Sequence, residues 1–210
     1  MTGEELLDFT TGRNTQYTRA DSDDIAIHEI NRAVTELYDL VWKKDYSLVK
    51  KSADISVISG TAEYDLSSIA SDFLSTGFNG GGVFVYNDEG KKTASRRYTS
   101  KGSDKFGYYI ENEKLYLTPE PSTTRTETLE YIPEPEVLED LSDDVFLTIT
   151  GKLNLKSYYN EYYVWALSIS SAEREGEDQS QIDLYVERRD EQVLRIFKEI
   201  SPRSRGVISI

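Results

Sequence analysis

The sequence predicts an α+β protein: a helical bundle with an inserted antiparallel β unit and an extended C-terminal tail. Two observations indicate this fold class. Apolar residues recur three and four positions apart in the first 45 residues and again after residue 154, which is the period of amphipathic helices. Between these regions, short runs rich in valine, isoleucine and tyrosine alternate with turn-forming residues, as they do in antiparallel strands.

The predicted organisation has four parts, which suits a chain of 210 residues built as one domain with an insertion. Residues 1–45 carry the N-terminal helices of the helical domain. Residues 46–140 form the inserted antiparallel β unit. Residues 141–200 form a C-terminal helical hairpin that completes the helical domain, and residues 201–210 form the extended tail.

The first part contains two predicted helices. Thr2 and Glu5 make a capping box, so a short helix should cover residues 3 to about 9. A long helix should begin within residues 21–24, because a capping serine and acidic side chains favour a helix N-terminus, and it should continue to about Lys44. The apolar stripe of the long helix is Ile27, Ile30, Val34, Leu37 and Val41.

The middle of the chain contains five or six predicted strands. Ile55, Val57 and Tyr64 alternate with polar residues on either side of a turn at Gly60, which suggests a strand pair. Two later strands flank residues 111–113 and should make a hairpin. The predicted strands after Tyr64 cover residues 83–86, 107–110, 114–117 and 128–132.

Helical spacing then returns in two segments joined by a short turn, which indicates an antiparallel helical hairpin. The first segment should end near Gly176, and the second should end before Pro202, which cannot continue a helix. The stripe of the first segment is Leu155, Tyr159, Tyr162, Tyr163, Ala166 and Ile169, and that of the second is Ile182, Val186, Val193, Ile196 and Ile200.

Composition argues against several classes of protein. The chain has no cysteine, which rules out disulfides, thiol catalysis and thiolate metal sites. No run approaches the roughly 20 apolar residues of a membrane span. The first residues are acidic and lack the apolar core of a secretory signal. We therefore expect a soluble protein that has no contact with a membrane.

Charge is unevenly distributed along the chain. The net charge is −14, and a globally acidic protein repels nucleic acid unless its bases are gathered locally. A basic segment gathers some of them: Lys91, Lys92, Arg96, Arg97, Lys101 and Lys105. Two interpretations stay open for this segment, an exposed loop that contacts an acidic neighbour or a site for single-stranded nucleic acid.

Candidate catalytic and metal sites find little support in the sequence. His28 is the only histidine, so Ser-His-Asp catalysis or a zinc site would depend on one ring. Asp21, Asp23 and Asp24 lack the glycine and the distal glutamate of a calcium loop, and they fit helix capping instead. With 38 acidic residues, a carboxylate-based hydrolase is the less favoured alternative. We expect no enzyme activity, no cofactor and no metal.

Several stretches together resemble a known family. They are residues 30–42 (INRAVTELYDLVW), 60–66 (GTAEYDL), 116–121 (YLTPEP) and 129–135 (LEYIPEP). The first is similar to the N-terminal helix, and the others to strands, of the head-to-tail adaptor proteins of tailed bacteriophages, also called head completion or connector proteins. The likeness extends over residues 23 to 200.

The resemblance implies a structural virion protein at the neck, beside the portal vertex, which is in the host cytoplasm before assembly. Such a protein would form a homo-dodecameric ring, join the portal protein to tail or nozzle proteins, and extend the DNA channel. Double-stranded DNA would pass without sequence-specific binding. A nucleic-acid-binding accessory protein that uses the basic segment is the main alternative.

Three sets of residues are candidates for the contacts of such a ring. The tyrosines of the first C-terminal helix exceed the needs of one stripe, so part of this set should contact a neighbouring copy: Tyr158, Tyr159, Tyr162 and Tyr163. The tail should dock on the portal, for example by adding a strand, through Arg203, Arg205, Val207, Ile208 and Ile210. The basic segment is the third set, and its partner is either DNA or protein.

Overall fold

The structure, a computed structural model, describes residues 1–45, 48–73, 84–87, 93–94, 107–145 and 156–200. Helices and small antiparallel sheets both occur in these residues, which confirms the mixed α and β class. The chain divides into two compact units. The first comprises residues 1–48 and 135–210, and the second comprises residues 49–134.

Five helices and seven strands lie within the described residues. The helices are α1 (Gly3–Arg13), α2 (Asp23–Lys44), α3 (Leu66–Ile69), α4 (Lys156–Glu175) and α5 (Gln179–Ile200). The strands are β1 (Lys51–Val57), β2 (Glu63–Asp65), β3 (Phe84–Asn87), β4 (Thr93–Ala94), β5 (Gly107–Glu111), β6 (Lys114–Thr118) and β7 (Arg125–Tyr131).

Helix α1 begins where the sequence predicts and extends further. The capping box is present: the Thr2 N–H donates to the Glu5 carboxylate at 3.0 Å, and the Glu5 N–H donates to the Thr2 hydroxyl at 3.2 Å. The helix continues to Arg13, past its expected end. The buried Thr10 hydroxyl donates to the Leu6 carbonyl at 2.8 Å, so this polar side chain is satisfied inside the helix.

Helix α2 confirms the predicted stripe for all but one residue. Ser22 is its N-cap and accepts a hydrogen bond from the Ile25 N–H. Ile27 is only half-buried. The remaining members of the stripe are fully buried: Ile30, Val34, Leu37 and Val41.

Helices α4 and α5 are joined by a short connection and pack against each other. Gly176 has a φ of +68°, and the Glu177 N–H bonds to the Ala172 carbonyl at 3.0 Å, which is a Schellman cap. Helix α4 also packs against α1 and α2 within the first unit. It is therefore buried around most of its circumference, and residues 162–164 and 166–169 are all buried.

The second unit contains two antiparallel sheets. The first has the order β1-β7-β3-β4 and the second the order β2-β6-β5. The predicted pairing of the strands around Gly60 is wrong. Strand β1 pairs with β7, from Lys51 opposite Tyr131, while β2 pairs with β6. Gly60 has a φ of +79°, and its N–H bonds to the Pro121 carbonyl at 2.8 Å, so the turn leads the chain into the other sheet.

The predicted hairpin of β5 and β6 is confirmed. Glu111 lies opposite Lys114, and the two residues between them, Asn112 and Glu113, have φ values of +51° and +60°. Positive φ at both positions matches the right-handed twist of the strands. The core of this unit includes Ile55, Leu66, Val85, Tyr108, Leu115 and Leu129, each at most 1% exposed.

Candidate interaction surface

The tyrosines predicted to contact a neighbouring copy lie on α4. Tyr162 and Tyr163 are 1% and 2% exposed, and their rings meet edge to face with centroids 5.6 Å apart. Tyr159 is half-buried, and the side chain of Tyr158 lies outside the described residues. Burial raises the pKa of Tyr159, Tyr162 and Tyr163 above the ordinary phenol value.

The position of α4 gives the physical reason for this burial. Three helices surround it, so its tyrosines pack on more than one side inside the protomer. The hydroxyls of Tyr159 and Tyr163 are buried and have no hydrogen-bond partner in the described chain. The contact of this set with a neighbouring copy stays a prediction, and Tyr159 is the member with the most surface left among the three described.

The other two predicted sets lie outside the described residues. The six basic side chains of the basic segment are all outside them, and of this segment only Thr93–Ala94 is described, as the strand β4 paired with β3. The residues of the tail, 201–210, are outside as well.

Polar contacts that the sequence analysis missed tie the segment after α1 to α4. The Asn14 amide donates to the Ser168 hydroxyl at 2.9 Å. The Thr18 N–H donates to the Ser171 hydroxyl at 3.0 Å, and both serines are 1% exposed. The sequence signal for these contacts is a serine on the buried face of an otherwise apolar helix. A buried hydroxyl needs a hydrogen-bond partner, so such a serine indicates a polar contact with another segment.

A buried ion pair joins α2 to α4 within the first unit. The Arg174 guanidinium contacts the Glu29 carboxylate and also donates to the Thr18 carbonyl. Burial raises the pKa of Glu29, although Arg174 acts in the opposite direction. One Glu29 oxygen has no partner among the described residues. The pair is therefore a structural link whose two members depend on each other.

A groove of about 680 Å³ lies between α2 and α5, and we name it the α2–α5 groove. Tyr162 of α4 contributes to its lining, and its apolar side chains are Leu40, Val193 and Leu194. Leu194 is 61% exposed, more than any other large apolar side chain in the described residues. The charged side chains of the groove are Glu36, Asp39, Lys43, Arg189 and Asp190.

Exposed carboxylates gather near the N-termini of α1 and α2, and we name them the acidic edge: Glu4, Glu5, Asp8, Asp23, Asp24, Asp143 and Asp144. Backbone contacts bring the last two close to α1, because the Gly3 N–H donates to the Asp143 carbonyl at 3.0 Å. Arg19 pairs with Glu4 at 2.8 Å and lies 3.9 Å from Asp23. Carboxylates nevertheless outnumber the bases in contact with them.

An ion network crosses the second unit around Asp72. Lys51 contacts its carboxylate at 2.6 Å, and the Tyr131 hydroxyl donates to it at 2.9 Å. Burial acts to raise the pKa of Asp72, but these two hydrogen bonds outweigh it and lower that pKa. Burial, reinforced by Asp72, raises the pKa of Tyr131 to about 12. Asp72 therefore links β1, through Lys51, to β7, through Tyr131.

Neither a metal cluster nor a spanning helix occurs in the part of the chain that the structure describes. No group of three or more histidine, aspartate or glutamate side chains there is placed to hold a metal ion. None of the helices in the same residues is long and apolar enough to cross a membrane. His28 is exposed on α2.

The exposed apolar groove and the strongly charged surface are typical of proteins that bind other proteins. The family model described as SU10 adaptor protein matches residues 1–195. The chain therefore belongs to the SU10 adaptor protein family, a family of bacteriophage head-to-tail adaptors. No curated protein sequence matches the chain.

Family membership confirms the resemblance found in the sequence. It indicates a structural protein of a bacteriophage. It also implies contacts with phage portal and tail proteins, and a place at the neck of the virion.

Proposed function

We propose that the protein forms a homo-dodecameric ring that docks beneath the portal, joins it to tail or nozzle proteins and extends the DNA channel. The observation that carries this proposal is the match to an adaptor family over residues 1–195. A ring needs an interface in which one patch fits a different patch on the next copy. The uneven distribution of charge along this chain suits such an interface.

The proposed architecture of each subunit is a helical bundle with the β unit inserted into it. Chain order supports this arrangement, because the first unit is made of residues 1–48 and 135–210 and the second of the residues between them. The contacts of α4 with α1, α2 and α5 support the bundle. The tail, residues 201–210, follows α5 in the sequence.

Charge suggests how neighbouring copies meet. The acidic edge carries more carboxylates than bases, and the basic segment carries six bases. In the proposed ring, the basic segment of one copy contacts the acidic edge of the next, and Tyr159 contributes to the same interface. Opposite charges on the two patches favour one orientation of assembly over others.

The tail is the proposed contact with the portal. Its apolar residues Val207, Ile208 and Ile210 would supply buried area, and Arg203 and Arg205 would pair with carboxylates of the portal. Deleting residues 201–210 should therefore abolish attachment to the portal and leave the far-UV circular dichroism spectrum unchanged. The exposed Arg195 on α5 provides a matched control: R203A/R205A should weaken attachment, whereas R195A should not.

Mixing the purified protein with its portal tests the ring itself. We expect a large complex in size-exclusion chromatography and a twelve-fold ring at one end of the portal in negative-stain micrographs, because adaptor function requires both contacts. A protein that stays monomeric beside the portal contradicts the proposal. The rival nucleic-acid binder would instead give a salt-dependent mobility shift that is lost when Lys91, Lys92, Arg96 and Arg97 are neutralised.

A further inference from the structure

We infer that the α2–α5 groove binds residues 201–210 of the same chain while the protein is free of its partners. The groove is an intramolecular docking site for an apolar segment that also carries arginines. This inference concerns the isolated subunit, so it goes beyond the proposed ring and does not depend on it.

The apolar part of the groove fits the apolar end of the tail. Leu40, Val193 and Leu194 line the groove, and Leu194 is 61% exposed although it lies beside the half-buried Val193. The tail presents Val207, Ile208 and Ile210 within four positions. Apolar surface of this kind is stabilised when another apolar segment covers it.

The charges of the groove suit the two arginines that precede these apolar residues. Three carboxylates and two bases line the groove, which leaves an excess of negative charge. Lys43 contacts Asp39 at 2.9 Å, and Arg189 contacts Asp190 at 3.0 Å. The Lys43–Asp39 pair is exposed and the Arg189–Asp190 pair is partly exposed. Ion pairs in contact with solvent contribute little to stability, so Arg203 and Arg205 can join or replace these partners.

The reach of the chain favours the tail of the same molecule. Leu194 lies six residues before the end of α5, or about 9 Å along the helix axis. Six residues connect Ile200 to Val207, and the seven steps from one Cα to the next span up to about 23 Å when the chain is extended. Pro202 ends the helical path. A segment tethered this closely has an effective concentration on the order of millimolar, above the concentration of another copy.

Disulfide trapping in the free protein tests the inference, and the absence of cysteine from the chain makes the experiment clean. The variant L194C/I208C places one thiol in the groove and one in the tail. Under mild oxidation, it should form an intramolecular disulfide, detected as a faster-migrating monomer on non-reducing gels. The rate should not depend on protein concentration.

A matched control is R195C/I208C, because Arg195 is exposed, adjacent in sequence and absent from the lining of the groove. The two thiols of the control lie at nearly the same distance along the chain, but disulfide geometry is strict. We expect the disulfide of L194C/I208C to form at least tenfold faster than that of R195C/I208C. Equal rates, or disulfides that form between copies, overturn the inference. Adding R203E/R205E to L194C/I208C should slow disulfide formation. An unchanged rate contradicts the role given to the arginines.

Discussion

Arg174 and Glu29 form an ion pair in which each charge depends on the other. Glu29 is 8% exposed, and its side chain would be an isolated buried anion without the guanidinium beside it. Such a pair contributes little net stability when compared with apolar residues of similar size, but removing one partner leaves an uncompensated charge. The arrangement therefore predicts a strong dependence of each side chain on the other.

Replacing Arg174 with methionine should lower the free energy of unfolding by about 2–4 kcal/mol at neutral pH, since Glu29 is left charged and unpaired. The measurement is chemical denaturation monitored by circular dichroism. The double variant E29M/R174M is the control, and it should be more stable than R174M alone because no buried charge remains. Equal stability of the two variants would contradict the coupling.

The same variant should respond to pH. Burial already raises the pKa of Glu29 above its ordinary value of 4.5, and losing Arg174 raises it further. The folded protein then binds a proton more readily than the unfolded chain, so its stability increases as pH falls. The loss of unfolding free energy caused by R174M, relative to the unaltered protein, should therefore become smaller as the pH falls from 7 to 4.5. A deficit that is constant over this range would exclude the mechanism.

At the scale of elements, helix ends and turns depend on single backbone positions. Gly176 has a φ of +68°, and a Cβ added there would meet nothing within 4 Å. Only the backbone conformation therefore opposes a side chain at the end of α4. We expect Gly176→Ala to destabilise the protein by about 1 kcal/mol.

Gly12 in α1 provides the matched control for this substitution. It also has open space around an added Cβ, but its φ lies outside the left-handed region. Gly12→Ala should stabilise the protein by about 0.5 kcal/mol, because alanine loses less backbone freedom than glycine in a helix. Thermal unfolding of both variants gives the comparison, and the same sign for the two would refute the explanation.

Elements defined by neighbouring residues were predictable. The capping box of α1, the start of α2 at Ser22, the glycine end of α4 and the β5–β6 hairpin each involve residues at most a few positions apart. Helix α1 was predicted too short because the residues that follow Phe9, which include Thr10 and Thr11, are polar. Their hydroxyls bond to carbonyls one turn earlier, which composition does not reveal.

In the proposed ring, the net charge of the whole molecule would act on the DNA that passes through it. Each copy carries a net charge of −14, and we propose that the carboxylates of the acidic edge that the neighbouring copy leaves uncovered, Glu4, Glu5 and Asp8, contribute to the lining of the channel. Negative charge keeps DNA from adhering to the channel as it passes. Assembled rings should therefore retain no duplex DNA at physiological salt in a filter-binding assay. Neutralising Glu4, Glu5 and Asp8 should increase retention, and tight binding by the unaltered ring would contradict the proposal.

Local chemistry along this chain was enough to predict the mixed fold class, the helix caps, the hairpin and the family resemblance, because each depends on short-range spacing or on composition. Contacts between residues that are distant in sequence determined the strand pairing, the burial of the tyrosines and the groove. Strand β1 pairs with β7 across a separation that no local pattern encodes, so the expected pairing around Gly60 failed. Tyr162 and Tyr163 are buried because three helices surround α4. The α2–α5 groove likewise exists only because helices distant in sequence pack side by side.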